Sequence, residues 1–93
     1  MKFSWDSRKA EVNARKHGVF FDEAATVFGD PLAGTFRDRY HSIEEERFIT
    51  VGLSSSGRLL VVSHTESFPE FRIISARPAT TKERERYETQ RSG

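Results

Sequence analysis

The chain opens with a two-residue hydrophobic period, passes into helical spacing and then returns to alternation. Phe3 and Trp5 alternate with polar neighbours, the signature of a short strand. Asp6 supplies a side-chain N-cap for a helix over residues 7–17, with Ala10 and Ala14 four apart on one face. Gly18 suits the left-handed position that ends such a helix, and Val19 can fold back onto its last turn. Asp22 offers a cap for a second short helix over 23–28, which Gly29-Asp30-Pro31 terminates.

Beyond Pro31 the pattern is that of a sheet. A short strand is predicted over 35–38. Over 46–53, Arg47, Ile49, Val51 and Leu53 share one face, with Phe48, Thr50 and Gly52 on the other. Ser54-Ser55-Ser56-Gly57 is a tight turn, so the strand over 58–64 pairs antiparallel with its predecessor. Its continuous run Leu59-Leu60-Val61-Val62 marks a central strand covered on both faces. A last strand spans 71–77. A final helix follows, with Thr80 and Glu83 at capping-box spacing. The order β-α-α-β-β-β-β-α predicts an α+β fold: a mostly antiparallel sheet with two N-terminal helices and one C-terminal helix.

Composition narrows the class. With 93 residues and 35% hydrophobic content, residues 1–93 read as one domain with one core. The absence of cysteine excludes a disulfide framework, a cysteine zinc site and a thiol nucleophile, and fits a cytoplasmic setting. No apolar run is long enough to span a bilayer, so no membrane role is expected. Net charge is +1 but unevenly spread: residues 1–17 and 72–93 each carry +3, and 18–71 carries −5. Two basic ends suit an anionic ligand; charged terminal helices that merely face water account for them equally well.

Three constellations can carry chemistry. On the first helix Lys9, Asn13 and His17 recur four apart, with Lys16 beside them. They can bind phosphate and move a proton; alternatively Lys and His there only balance the helix dipole. On the last strand, strict alternation separates Arg72, Ile74 and Ala76 from Phe71, Ile73, Ser75 and Arg77. Arg72 and Arg77 suit bidentate phosphate binding and stabilisation of a pentavalent transition state. Their structural alternative is pairing with Glu44, Glu45, Glu46 or Glu70. On the final helix, Arg84 and Tyr87 offer a cation and a ring that can stack on a base, or simply a solvated helix anchored by its tyrosine. His41 in a loop and His64 on an interior strand are weaker candidates. Neither a metal site nor a phosphate-binding glycine loop is recognisable, so no cofactor or metal is assigned. The repertoire fits RNA cleavage by 2′-OH attack on the neighbouring phosphate.

These residues also carry a resemblance. Phe3-Ser4-Trp5-Asp6 with Lys9, Asn13-Ala14-Arg15-Lys16-His17-Gly18-Val19, and Phe21-Asp22-Glu23-Ala24 are similar to the opening of the BrnT family. Asp30, Glu46-Arg47 with Gly52, Leu60-Val61-Val62 with Thr65, Arg72-Ile73-Ile74-Ser75-Ala76-Arg77, and Glu83-Arg84 with Tyr87 continue it in order over nearly the whole chain. The resemblance implies a RelE-like fold and a ribonuclease toxin of a type II toxin–antitoxin pair. It further implies a BrnA-like ribbon-helix-helix antitoxin that forms a hetero-oligomer with the toxin and alone contacts operator DNA. The turn over 66–71 departs from the usual basic or glycine-rich pattern, with two acids and no base, and takes no site residue.

The leading expectation is a metal-independent endoribonuclease that inhibits translation. Lys9 or His17 would transfer protons, Arg72 and Arg77 bind phosphate, Tyr87 position or stack, and Lys16 and Arg84 bind RNA. The alternative is a non-catalytic antitoxin-binding module or co-repressor, favoured by the acidic middle of the chain.

Overall fold

The computed structural model describes residues 2–41, 45–67 and 69–92, with side chains up to residue 90. Strand β1 (Lys2–Ser4) leads into α1 (Ser7–His17), α2 (Phe21–Thr26) and a 3-10 turn (Val27–Gly29). Four strands follow, β2 (Gly34–Arg37), β3 (Phe48–Leu53), β4 (Leu59–His64) and β5 (Glu70–Pro78), and then α3 (Thr81–Ser92). The strands form one sheet in the order β1-β5-β4-β3-β2. β1 runs parallel to β5 and the remaining pairs are antiparallel. The fold is the α+β arrangement expected, with the apolar strand β4 at the centre.

Local physics accounts for the helix ends. Asp6 accepts from the backbone N–H of Arg8 and Lys9, which holds its carboxyl below the usual range, Lys9 contributing most. Gly18 adopts φ 67° and its N–H returns to Ala14 O, closing α1. Glu83 and Thr80 exchange capping bonds at the start of α3. The second helix departs from expectation. It begins at Phe21, not after Asp22, and has no side-chain cap. Val19, Phe21, Ala24 and Val27 are all buried, and seating them sets where the helix starts. Asp22 and Glu23 then fall in its first turn, where the helix dipole favours negative charge.

α1 and α2 cover one face of the sheet. Val19, Phe21, Ala24 and Val27 pack there on Leu60, Val62, Ile73 and Ala76, with Phe3, Trp5 and Phe28 at the margin. Each large apolar side chain fully buried in this layer contributes roughly 1.5–3 kcal/mol. A side chain at Gly52 would put its Cβ 2.8 Å from Ala33 and 3.0 Å from Val27, so glycine is what lets the 3-10 turn lie against β3.

The sheet's two irregular edges are closed by side chains. β1 ends opposite Arg72, leaving the backbone of Ala76 without a strand partner on that side. The Asn13 amide fills the gap: Nδ2 donates to Ala76 O at 2.9 Å and to Val19 O at 3.0 Å, while Oδ1 accepts from Ala76 N at 3.0 Å. At the other edge, where β2 has ended, Asp30 Oδ2 accepts from Leu53 N at 2.8 Å and from the Tyr87 hydroxyl at 2.6 Å, which fastens α3 to the sheet.

Strict alternation fails in β5. Ser63 pairs with Ser75 but His64 pairs with Ile73, a bulge that leaves Ile74 without a cross-strand partner. Ile73 and Ala76 therefore both enter the core, while Ser75 and Arg77 turn to the opposite face.

Candidate functional site

The face of the sheet away from α1 and α2 carries a cavity of about 270 Å³. Ile49, Val61 and Ile74 give it an apolar floor, set with the hydroxyls of Ser63 and Ser75. Asp38, His41, Arg47 and Arg77 stand around it. The register explains the gathering: Ile49 lies opposite Ser63, Ser63 opposite Ser75, and Val61 opposite Arg77, and cross-strand partners share a face.

The polar groups at the rim are paired in a definite way. His41 Nδ1 lies 2.9 Å from Asp38 Oδ2. The Asp38 side chain is only 9% exposed and the His41 ring 67%, so a buried carboxylate orients an accessible imidazole. Asp38 is fixed in turn, its N–H donating to Arg47 O at 2.8 Å and its Oδ1 accepting from Tyr40 N at 3.1 Å. With a proton on Nδ1 toward Asp38, Nε2 of His41 is left to accept one. Arg77 forms a two-pronged pair with Glu83, at 2.8 and 2.9 Å. That pairing, chiefly the hydrogen bonds from Arg77, holds the Glu83 carboxyl down at about 2 and raises the Arg77 guanidinium above its ordinary value. Glu45 bridges Arg72 and Arg47, approaching Arg47 Nη2 to 3.8 Å. The rim can therefore hold a phosphate and take up a proton beside it.

Of the residues expected from sequence to carry chemistry, the structure brings Arg77 into the cavity and ties Arg72 to its rim through Glu45. The Arg72 partner is Glu45; Glu44 lies outside the described residues. Lys9, Lys16 and His17 ride on α1, on the covered face, away from Arg77. Asn13, the middle member of that stripe, is spent on the β5 edge. Arg84 is exposed on α3. Tyr87 differs most from a stacking residue: its side chain is buried, 5% exposed, and its hydroxyl is held by Asp30. The little of it that is exposed borders a second cavity, between α3 and β2–β3.

The cavity also gathers residues that sequence alone did not single out as candidates: Asp38 and Ser63, with Arg47 and Ser75 known only from strand alternation and the family motif, and His41 ranked as a weaker candidate. The available signal was weak: an acid three residues before a histidine, and strand parity placing Arg47 beside Ile49. His64, by contrast, is structural as its interior position implied. It is fully buried among Phe28, Phe48 and Phe71, with Nε2 2.7 Å from Thr50 Oγ1. Burial pushes its imidazole below the ordinary value, which disfavours the charged form. Among the described residues no group of three or more His, Asp or Glu is placed to hold a metal, and no helix is long and apolar enough to cross a membrane.

No curated protein matches the chain. Among solved structures, the Brucella abortus ribonuclease toxin BrnT is similar, with 23% identity and a TM-score of 0.68 over 87% of this chain and 99% of that one. That likeness establishes the fold. The family described as the ribonuclease toxin BrnT of type II toxin–antitoxin systems matches residues 5–83, from Trp5 just after the first strand to Glu83, the partner of Arg77. The chain therefore belongs to the BrnT family of ribonuclease toxins.

Proposed function

We propose that the chain cuts single-stranded RNA in the cavity on the open sheet face, without a metal ion. The convergence of Arg77, Arg47 and the Asp38–His41 pair on one apolar-floored cavity carries this reading. His41 Nε2 takes the proton of a ribose 2′-OH. The 2′-oxygen then attacks the adjacent phosphorus, the bond to the 5′-oxygen breaks, and that oxygen leaves with a proton from water. The products are a 2′,3′-cyclic phosphate and a 5′-hydroxyl. Arg77 and Arg47 hold the phosphate and stabilise the charge that builds on its oxygens, and Arg72 supports Arg47 through Glu45. Cutting messenger RNA in this way would inhibit translation, and Lys16 and Arg84, exposed on α1 and α3, would hold RNA outside the cavity. A BrnA-like ribbon-helix-helix antitoxin would neutralise the chain in a hetero-oligomer and carry the contacts to operator DNA.

The test is cleavage of a defined RNA by the purified chain. Cleavage persists in EDTA, and Arg77→Ala lowers kcat about 10²–10³-fold, the size of effect found when a charge-stabilising donor is removed. His41→Ala lowers it by a similar order. Loss of cleavage in EDTA, or a wild-type rate in Arg77→Ala, overturns the mechanism. A second reading, a module that binds its antitoxin without cutting, draws support from the carboxylates that already occupy Arg72 and Arg77. Expression of the chain alone separates the two: a toxin arrests growth and a binding module does not.

A further inference from the structure

The open face holds more than a phosphate requires. The pairing register lays Phe36, Ile49, Ser63 and Ser75 in one row across β2, β3, β4 and β5. Gly34, Val51, Val61 and Arg77 form the adjoining row, whose Gly34 and Val51 end lies beside α3. Their sequence neighbours Thr50, Val62 and Ala76 point to the covered face. Phe36 is 55% exposed, an uncommon place for a large ring at the edge of a sheet. Ser63 and Ser75 are half-buried in the cavity floor, and their hydroxyls have no hydrogen-bond partner among the described residues. Such a row has the parts of a nucleobase platform: an exposed ring for stacking, a flat aliphatic surface, and two hydroxyls able to donate or accept at a base edge. The cations Arg47 and Arg77 flank it, where a backbone phosphate would lie.

Resting on the ribonuclease reading, we infer that this row binds two consecutive bases of single-stranded RNA. The base beside the cleaved bond lies on Ile49 and Val61 with its edge at the hydroxyls of Ser63 and Ser75. Its neighbour stacks on Phe36. Of the acids near the row, Asp38 is turned to His41 and Glu83 to Arg77, while Glu85 on α3 lies near Phe36 together with the cations Lys82 and Arg86. Hydroxyls that both donate and accept tolerate more than one base, so the row grades bases without demanding a single one.

The probe is a short single-stranded RNA with a 2′-deoxy substitution at the cleaved position, which binds without being cut. Phe36→Ala weakens its binding about 5- to 100-fold, the range for loss of one stacked base. Phe36→Tyr, which keeps a ring, restores it. Ser63→Ala with Ser75→Ala changes binding only about two- to tenfold but flattens the base preference mapped at the cut ends of the unmodified RNA. All of these positions lie outside the packed core, and thermal unfolding checks that the variants stay folded. Wild-type affinity in both the Phe36→Ala and the double serine variants overturns the platform. So does a Phe36→Ala variant that loses antitoxin binding but keeps RNA binding, which would make the row a protein surface. If the wild-type chain binds the probe through Phe36 yet cuts no RNA, the ribonuclease reading falls and the platform stands.

Discussion

The two faces of the sheet use similar residues to opposite ends. On the covered face a histidine and an asparagine are sealed in, and a half-buried aspartate closes the sheet edge, each with protein partners: His64 with Thr50, Asn13 with Ala76 and Val19, Asp30 with Leu53 and Tyr87. On the open face His41 has the same chemistry but a ring accessible to solvent and a carboxylate behind it. The arginines divide the same way. Arg58 joins Glu23 in a cluster with Ser54 and Ser56 that ties the β3–β4 turn to α2, whereas Arg77, paired with Glu83, borders the cavity. Residue type therefore does not reveal role here. What separates a sealed polar group from one that a ligand could reach is whether its remaining hydrogen-bonding capacity faces protein or space.

That contrast can be broken in order of expected effect. Leu60→Ala, in the covered layer, should cost about 2–5 kcal/mol of stability through lost burial and the void left behind. Denaturant unfolding measures it, and the cleavage rate per folded molecule should not change. Asn13→Ala should cost about 1–3 kcal/mol, because the N–H and C=O of Ala76 lose their partner inside the protein. A large loss of rate at unchanged stability would instead return Asn13 to the chemistry.

Next comes pH. The folded-state value of His64 lies below its ordinary 6.5, so the unfolded chain binds the proton more readily. Its stabilisation is fully present above 6.5 and drains away as pH falls below that value. Glu23 and Glu83, held at about 2 against an ordinary 4.5, contribute above 4.5 and lose their share as pH falls from there toward 2. Melting temperature should thus fall in two stages, and His64→Gln should flatten the stage between 6.5 and 4.5. A stage unchanged in that variant would show that another group causes it. The smallest effect should come from His17→Ala on α1, no more than about twofold in rate, as for a surface position away from the chemistry. A loss of a hundredfold would move the centre to the covered face and revive proton transfer by His17 or Lys9.

Much of this architecture was legible along the chain because its causes are local. Asp6, Gly18 and the Thr80–Glu83 pair act on groups two to four residues away, so capping and turn chemistry could be read directly. The alternation of Phe48 to Leu53 and the apolar run of β4 likewise announced which strand is central. Arg77 was legible as a candidate because a strand end beside a core rarely keeps an arginine without use.

The rest was decided in three dimensions. Asn13 looked like one member of a basic stripe, but its partner Ala76 lies 63 positions away, at an edge that exists only once β1 stops short. Tyr87 looked like a ring for stacking, but Asp30, 57 positions away, draws it inside. Alternation was a sound rule for β5 until one bulge at Ile74 changed the register and turned Ser75 and Arg77 together toward the cavity. The chain by itself determined its elements, their order and its BrnT resemblance, because these follow from neighbours within a few residues. Which polar groups would be sealed and which would face open space depended on pairings between distant strands, and only the folded sheet settles those.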